Sequence, residues 1–370
     1  MRLLPLALMF LTSAPDVSLK DIDAVVDAAI RKGDTPGAVV LVLRDDAVVY
    51  RKAFGRRALQ PEPTLMTEDT VFDLASLTKP IATALSLLLL VEDGKLNVDD
   101  PISKHLPGFA RKETESITIA QLLTHTSGFM PDNPLSDYRS GRDAAWKNLF
   151  ALAPVPKQGN RFTYSDVNYI LLGKIVEKAS GMGLDEFARR RVFEPLGMKE
   201  TGYHPGAGLK KRCAPTEKRE GRWMIGEVHD PRAYLLGGVA GHAGLFSTAD
   251  DLAILCRMLL HEGKLEGRTI PRPETYRLMT ASRTVPLEKG SGLRTYGWDR
   301  DTPYSKNRGT GFSKTAGFGH SGFTGTSIWI DPPMRMAVIV LTNRVHPNGK
   351  GNVVMLRSRI ATIAAESAAK

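Results

Sequence analysis

A hydroxyl and an amine lie three residues apart in the stretch Ser76-Leu-Thr-Lys79, at the beginning of a long apolar segment. The apolar segment predicts a buried helix, and positions i and i+3 of a helix share one face. A serine beside a lysine can lose its proton to a neutral amine, or to a base that the lysine holds in place. Free backbone N–H groups at a helix start can also stabilise a developing oxyanion. The stretch therefore predicts covalent catalysis by Ser76 with Lys79 as its partner.

Two downstream motifs support this prediction. Ser-x-x-Lys is weak evidence alone, because it occurs again at Ser367–Lys370, where no partner motif accompanies it. The first copy is followed by Tyr164-Ser-Asp166, which precedes a helical pattern, and by His320-Ser-Gly322, which precedes the strand around Trp329. The first copy alone is thus accompanied by a phenol and an imidazole that could join it in one site.

The three motifs, in this order, resemble those of the serine β-lactamase and penicillin-binding-protein superfamily, and within it the class C branch with its esterases and peptidases. The stretches 122–128 (LLTHTSG) and 169–173 (YILLG) carry the same resemblance, which covers the chain from about Ile22 to the last strand. The stretches 237–248 (GGVAGHAGLFST) and 341–347 (LTNRVHP) are similar to a subgroup linked to bacterial cell-wall turnover.

The resemblance implies a role for each site residue. Ser76 would attack a carbonyl carbon and become acylated, and water would then hydrolyse the acyl-enzyme. Lys79 and Tyr164 would share the proton transfers, because a tyrosine with an ordinary pKa near 10 needs a cation beside it to act as a base at neutral pH. The oxyanion hole would consist of the backbone N–H groups of Ser76 and Phe323. No metal or organic cofactor is required.

Two departures from the family pattern bear on specificity. The second motif often ends in asparagine, but here it ends in Asp166, whose charge would raise the pKa of Lys79 and shift the role of base towards Tyr164. The third motif often starts with lysine in β-lactam hydrolases, whereas His320 is only partly charged near neutral pH and would hold a substrate carboxylate less firmly. We expect Asp166, His320 and Gly322 to contact the substrate, and β-lactam hydrolysis not to be the main activity.

Strand patterns lie near both ends of the chain. Apolar, β-branched runs at 37–43 and 48–54 predict one hairpin, and alternating runs at 327–331 and 336–342 predict a second. Strands from the two ends can share one antiparallel sheet flanked by helices, which predicts a two-lobed α/β (α+β) fold.

The intervening sequence is helical in character. We therefore predict a sheet-containing lobe formed by residues 16–80 and 290–370, and an inserted all-helical lobe at 81–289. A cleft between two such lobes is a common place for a ligand site.

The composition is that of a soluble globular protein, with 42% hydrophobic and 24% charged residues in 370. The formal net charge is +10, but the basic residues are scattered, which favours a solvated surface over nucleic-acid binding. Cys213 and Cys256 form neither a disulfide framework nor a metal-ligand pattern.

The first residues have the pattern of an export signal. Met1-Arg2 is followed by an apolar stretch at 3–11 and small residues to Ala14, which predicts a signal peptide at 1–15 and a periplasmic or secreted protein. The apolar stretch Ile81–Val91 is too short to cross a bilayer and is interpreted as a buried helix, so we expect no membrane span.

Several functions remain open at this point. The favoured substrate is a peptidoglycan-derived peptide, cleaved by an amidase or D,D-peptidase, and the alternatives are a carboxylesterase on short acyl esters, weak β-lactam hydrolysis, or a non-catalytic peptidoglycan sensor. His125 is interpreted as structural, and His242 either lines the site or only fits a tight turn. The dinucleotide-binding pattern at Gly317–Gly322 is rejected, because it leads into a strand and not into a helix.

Overall fold

A computed structural model describes residues 18–155 and 160–368. The predicted signal peptide at 1–15 and the last residues of the second Ser-x-x-Lys copy lie outside the described residues. The α-helices are α1 Asp21–Lys32, α2 Leu85–Glu92, α3 Ile102–His105, α4 Ile119–Leu123, α5 Arg142–Phe150, α6 Asp166–Ser180, α7 Leu184–Ala188, α8 Glu194–Leu196, α9 Ala207–Lys210, α10 Pro231–Leu235, α11 Ala249–Leu260, α12 Pro273–Thr280 and α13 Val354–Ala368. Shorter 3₁₀ turns lie at Ala75–Leu77, Pro107–Phe109, Leu135–Tyr138 and Ser305–Arg308, and π-helical turns at Lys79–Ala84 and Arg189–Phe193.

The strands of both chain ends form one large antiparallel sheet. The strands are β1 Gly37–Arg44, β2 Ala47–Ala58, β3 Thr64–Leu65, β4 Phe72–Asp73, β5 Lys218–Arg219, β6 Arg222–Trp223, β7 Phe246–Ser247, β8 Lys264–Leu265, β9 Arg268–Thr269, β10 Arg283–Pro286, β11 Ser291–Arg294, β12 Asp299–Asp301, β13 Phe318–Ser321, β14 Ser327–Asp331 and β15 Met336–Thr342. Within the described residues the sheet has nine strands in the order β10-β11-β12-β13-β14-β15-β1-β2-β3. The two predicted hairpins and their shared sheet are confirmed.

Strand β1 is an interior strand of the sheet and pairs with both β2 and β15. Its side chains alternate between two faces, as in any strand. Val39 and Leu41 pack into the large core formed with the helical part of the chain, and Val40 and Val42 pack against α1 and α13. Both faces of β1 are therefore buried, which explains why its sequence is a continuous apolar run without polar alternation.

The inserted part is mainly helical, so the prediction of an all-helical lobe at 81–289 was wrong in detail. Strands β5 to β9 are two-residue pieces within it, and β10 at Arg283–Pro286 already belongs to the main sheet. As an edge strand, β10 tolerates a proline, because one side of it has no hydrogen-bonded neighbour. Its polar sequence gives no apolar alternation from which a strand could be predicted.

The segment Ala75–Glu92 is one helical unit of 18 residues that carries the first motif at its start. By length and apolar composition it is the one helix among the described residues that could cross a membrane, but 83% of it is buried inside the protein. Burial of this kind is expected of a core helix, which agrees with the interpretation of its apolar stretch as buried.

Candidate active site

Ser76 lies on a strained turn at the edge of a cavity of about 570 Å³. The preceding residue, Ala75, has a φ of 46°, in the left-handed region that residues with a Cβ rarely adopt. The Ala75 N–H donates to Asp73 Oδ1 at 2.8 Å, which holds this conformation. Such strain is typical of functional sites, where the surrounding structure maintains it. Here it exposes the Ser76 side chain at the start of an otherwise buried helix.

Lys79 is completely buried, and its ammonium group has two hydrogen-bond acceptors and one carboxylate as an ion-pair partner. Its Nζ donates to Ser76 Oγ at 2.9 Å and to the His242 carbonyl at 3.1 Å, and it lies 2.7 Å from Asp166 Oδ1. An ammonium group has three N–H donors and no acceptor. Ser76 lies in the 3₁₀ turn and Lys79 begins the following π-helical turn, and residues three apart on such a continuous helical path share one face. The environment thus matches a protonated Lys79.

The pKa shifts agree with that protonation state. Burial acts to lower the pKa of Lys79, but the negative charge of Asp166 and the contact with Tyr164 outweigh it and raise that pKa above its ordinary value. Burial raises the pKa of Tyr164, against the lowering effect of the Lys79 charge. At rest, therefore, Lys79 is an ammonium ion and Tyr164 a neutral phenol. Because the two groups are coupled, one proton must leave the pair before it can accept another from Ser76.

Tyr164 lies in an aromatic stack that fixes its position over Lys79. Its ring centroid lies 5.0 Å from Lys79 Nζ, 4.6 Å from the His125 ring and 5.0 Å from the Tyr304 ring. Lys79 and Ser76 lie close enough to its hydroxyl for both to lower its pKa, against the effect of burial. The structure therefore brings the three predicted catalytic side chains together.

The second motif forms the start of helix α6. Ser165 is its N-cap, and its Oγ accepts from the Asn168 N–H at 3.2 Å. The Ser165 N–H donates to His125 Nδ1 at 3.0 Å, so His125 has the structural role predicted for it. These contacts place Asp166 in the first turn of the helix, where its carboxylate faces Lys79.

The loop after β13 carries the predicted second oxyanion donor. Gly322 packs so closely that a Cβ would lie 2.3 Å from both the Leu74 carbonyl oxygen and Thr326 Oγ1, which explains the glycine. Phe323 lines the same cavity as Ser76. In the described part of the chain, no group accepts a hydrogen bond from the Phe323 N–H. That N–H is therefore available to a ligand.

His320 lines the cavity as predicted, but its charge differs from expectation. Its side chain is buried, and that burial, together with the charges of Arg294 and Lys79, lowers its pKa well below the ordinary value. Its Nδ1 lies 3.0 Å from the Ser321 carbonyl oxygen, to which the ring donates. The predicted partial charge at neutral pH was thus wrong, because the sequence did not show how deeply this ring is enclosed.

The glycine-rich stretch 237–248 packs between α6 and the helical segment that carries the nucleophile, where Thr83 Oγ1 donates to the Gly241 carbonyl at 2.7 Å. Gly241 approaches α6 so closely that a Cβ would lie 1.9 Å from the Tyr169 carbonyl oxygen. The next residue, His242, contributes its backbone carbonyl to Lys79, while its buried ring Nε2 lies 2.8 Å from Asp230 Oδ1. The open question about His242 is thus answered, since its ring does not line the cavity.

One group of side chains near Lys79 could hold a metal ion. Asp166, Asp230 and His242 each place one ligand atom within 4.8 Å of the others. The ammonium group of Lys79 already neutralises Asp166 at 2.7 Å, and a cation would have to compete with it.

Three basic residues that line the cavity were not predicted. Arg344 follows β15, Lys350 lies in the next loop and Arg357 lies on α13. Arg344 is part of the 341–347 stretch that carried a family resemblance, but nothing local to the sequence directs these side chains to Ser76. The cavity is therefore considerably more basic than the three motifs indicate.

Comparison with known proteins agrees with this geometry. The family model named Beta-lactamase matches residues 22–359. The chain belongs to the β-lactamase family. An N-acetylmuramyl-L-alanine amidase from Bacillus subtilis (strain 168) is 34% identical over 368 residues, covering 89% of this chain and 81% of that protein. A putative D-alanyl-D-alanine carboxypeptidase from Escherichia coli (strain K12) is 34% identical over 347 residues, covering 84% and 79%.

The fold is also that of solved members of this family. The octameric penicillin-binding protein homologue from Pyrococcus abyssi superposes with a TM-score of 0.73 at 26% identity, over 94% of this chain and 77% of that one. The predicted antiparallel sheet flanked by helices is thus confirmed, and the chain is a serine hydrolase of the β-lactamase family.

Proposed function

We propose that this hydrolase cleaves peptidoglycan-derived peptides through an acyl-enzyme, as an amidase or D,D-peptidase. The observation that carries the proposal is the convergence of Ser76, Lys79 and Tyr164 at a cavity with a basic wall. Two relatives of similar length have names that refer to cell-wall amides. The signal peptide predicted at residues 1–15 would export the enzyme to the periplasm or beyond, where such peptides occur.

The proposed reaction begins once the Lys79–Tyr164 pair has lost one proton. Tyr164 then takes the proton of Ser76 while Oγ attacks the substrate carbonyl carbon, and the N–H groups of Ser76 and Phe323 stabilise the oxyanion. The same proton passes to the leaving amine as the tetrahedral intermediate collapses. Water attacks the acyl-enzyme by the reverse sequence, which regenerates Ser76.

The basic wall favours a substrate with a carboxylate. Arg344, Lys350 and Arg357 line the cavity, whereas the one lining carboxylate among the described residues, Asp299, is paired with Arg294 at 3.0 Å. With His320 neutral, these side chains supply the positive charge that a lysine in the third motif would provide. A peptide ending in a free carboxylate fits this wall better than a neutral ester.

A carboxylesterase is the second candidate. Tyr304 and Phe323 line the cavity with 52% and 60% of their surface exposed, and Val354 adds a third exposed apolar side chain. An exposed apolar rim suits the acyl group of an ester. This feature alone favours the esterase, and it does not account for the basic wall.

A substrate screen decides between these functions. The purified protein is offered purified muropeptides, p-nitrophenyl esters and nitrocefin under identical conditions, with Ser76→Ala as the blank. We expect release of an amine from muropeptides to be the most efficient reaction. Faster turnover of neutral esters would favour the esterase, and labelling of Ser76 without turnover of any substrate would favour a non-catalytic sensor.

Asp166→Asn should move the pH–rate profile to lower pH. The carboxylate raises the pKa of Lys79 and of Tyr164, so its removal lowers both, and the active form with one proton fewer appears at lower pH. An opposite charge at this distance typically changes a pKa by about 1–3 units, so we expect the rising limb of kcat/KM to shift by about that amount.

Asp132→Asn is the matched control for this prediction. Asp132 is the same kind of side chain near Asp166, but its ion pair is with Arg232 at 3.4 Å. Its replacement should shift the rising limb of kcat/KM by much less than Asp166→Asn does. Profiles of the parent and Asp166→Asn that superimpose would show that the carboxylate does not control the base.

A further inference from the structure

Arg357, on helix α13, is a buried guanidinium without a carboxylate partner. Its side chain is 8% exposed, and no carboxylate of the described residues lies within ion-pairing distance of it. Nη2 donates to the Gly322 carbonyl at 2.8 Å, and Nε donates to the Gly325 carbonyl at 3.1 Å. A buried charge that is compensated only by carbonyl groups costs stability. Its place in the wall of the catalytic cavity points to a functional reason.

The carbonyl that Arg357 contacts belongs to the peptide unit of the second oxyanion donor. The Gly322 C=O and the Phe323 N–H are the two ends of one peptide group, and in a trans peptide they point in opposite directions. The guanidinium on the oxygen therefore fixes the direction of the N–H. A charge-assisted bond to the oxygen also polarises the peptide and strengthens its N–H as a donor.

The Gly325 N–H also donates to the Gly322 carbonyl, at 3.2 Å, but it carries no charge. The other charged and side-chain contacts of this loop act on different peptide units. Arg344 Nε donates to the Phe323 carbonyl at 2.7 Å, and the N–H at the other end of that peptide belongs to Thr324. Thr326 Oγ1 donates to the Leu74 carbonyl at 3.0 Å, which joins the loop to the segment before the nucleophile. Among the described residues, Arg357 alone donates to the Gly322 carbonyl with a charged group.

We propose that Arg357 is a positioning residue for the oxyanion hole, which orients and polarises the Gly322–Phe323 peptide during acylation. The inference rests on the proposed function, because it requires the Phe323 N–H to receive the oxyanion. Burial, with the nearby charge of Arg344, lowers the pKa of Arg357 to about 9, so the guanidinium keeps its charge at neutral pH.

The test measures labelling by a fluorophosphonate, whose phosphoryl oxygen enters the oxyanion hole as the serine attacks. Rates at several probe concentrations separate the maximal labelling rate from the affinity for the probe. Removal of one oxyanion donor typically costs about 10²–10³ in rate, and misalignment of that donor should cost about 10–100-fold. Arg357→Met should therefore lower the maximal rate by that factor and leave the affinity nearly unchanged. Arg357→Lys should recover part of the loss, because it keeps a charged donor.

Arg300→Met is the matched control. Arg300 is also a buried guanidinium that donates to backbone carbonyls, at Thr280 and Thr315, but it does not line the cavity. Its replacement should lower the melting temperature as Arg357→Met does, without lowering the maximal labelling rate.

Three results would overturn the inference. These are an unchanged maximal rate in Arg357→Met, an equal loss of rate in Arg300→Met, or a loss in Arg357→Met that appears only in the affinity for the probe. If Arg357→Met does not fold, Arg357→Gln, which also removes the charge, carries the test, and a parental maximal rate there would equally overturn the inference. Undiminished labelling of Ser76→Ala would instead refute the proposed function, so the two failures can be distinguished.

Discussion

Ser76→Ala should abolish covalent labelling by a fluorophosphonate and reduce substrate turnover by at least about 10³-fold. The Ser76 hydroxyl lines the cavity and lies 2.9 Å from the Lys79 ammonium group, so no other hydroxyl of the motif can replace it. Intact-protein mass spectrometry after labelling measures the loss directly. Peptide mapping of the parent should place the adduct on Ser76.

Ser86→Ala controls for the substitution itself. Ser86 lies in the same helical segment, is buried, and has a hydroxyl without a hydrogen-bond partner in the described structure. Its loss should leave labelling intact. An adduct of undiminished yield in Ser76→Ala would show that another side chain of the cavity, such as Ser321, is the nucleophile.

Lys79→Met should lower the acylation rate by about 10²–10⁴-fold, the usual contribution of a positioned acid–base group. Methionine fills most of the buried volume but lacks the N–H groups that bind Ser76 and Asp166. Tyr164 would also lose the cation that lowers its pKa, so a smaller fraction of it would be the phenolate that accepts the Ser76 proton. The rate of fluorophosphonate labelling checks this without any knowledge of the substrate.

Lys174→Met is a suitable comparison for that variant. Lys174 lies on α6 and pairs with Glu177 at 2.8 Å, outside the cavity. The Lys174→Met variant should be acylated by the fluorophosphonate at the parental rate. A parental acylation rate in Lys79→Met would show that Ser76 and Tyr164 react without the ammonium group, and it would refute the role assigned to Lys79.

The site residues that could be predicted from the sequence are those that lie in short motifs. Ser76 and Lys79 are three positions apart, so helical geometry alone brings them together. Tyr164 and Asp166 were found because they form a compact motif that resembles the second motif of the superfamily. The hairpin strands β14 and β15 were predicted with their observed bounds, since alternation and a turn define them.

The remainder depends on contacts between distant parts of the chain. Arg357 reaches the Gly322 carbonyl only after α13 has packed on the sheet, and a single arginine in a helical pattern gives no sign of this. The neutral state of His320 follows from its burial, which no short motif encodes. Strand β10 forms because it pairs with β11, although its own sequence is polar.

The pairing of β1 with β15 also determines when the enzyme can first become active. Val40 pairs with Val340, so β1 lacks one of its two neighbours until synthesis has passed residue 342. The loop with Phe323 and the helix with Arg357 are also synthesised long after Ser76. A nascent chain therefore carries its nucleophile before it has the second oxyanion donor, and hydrolysis can begin only after these later segments have been made.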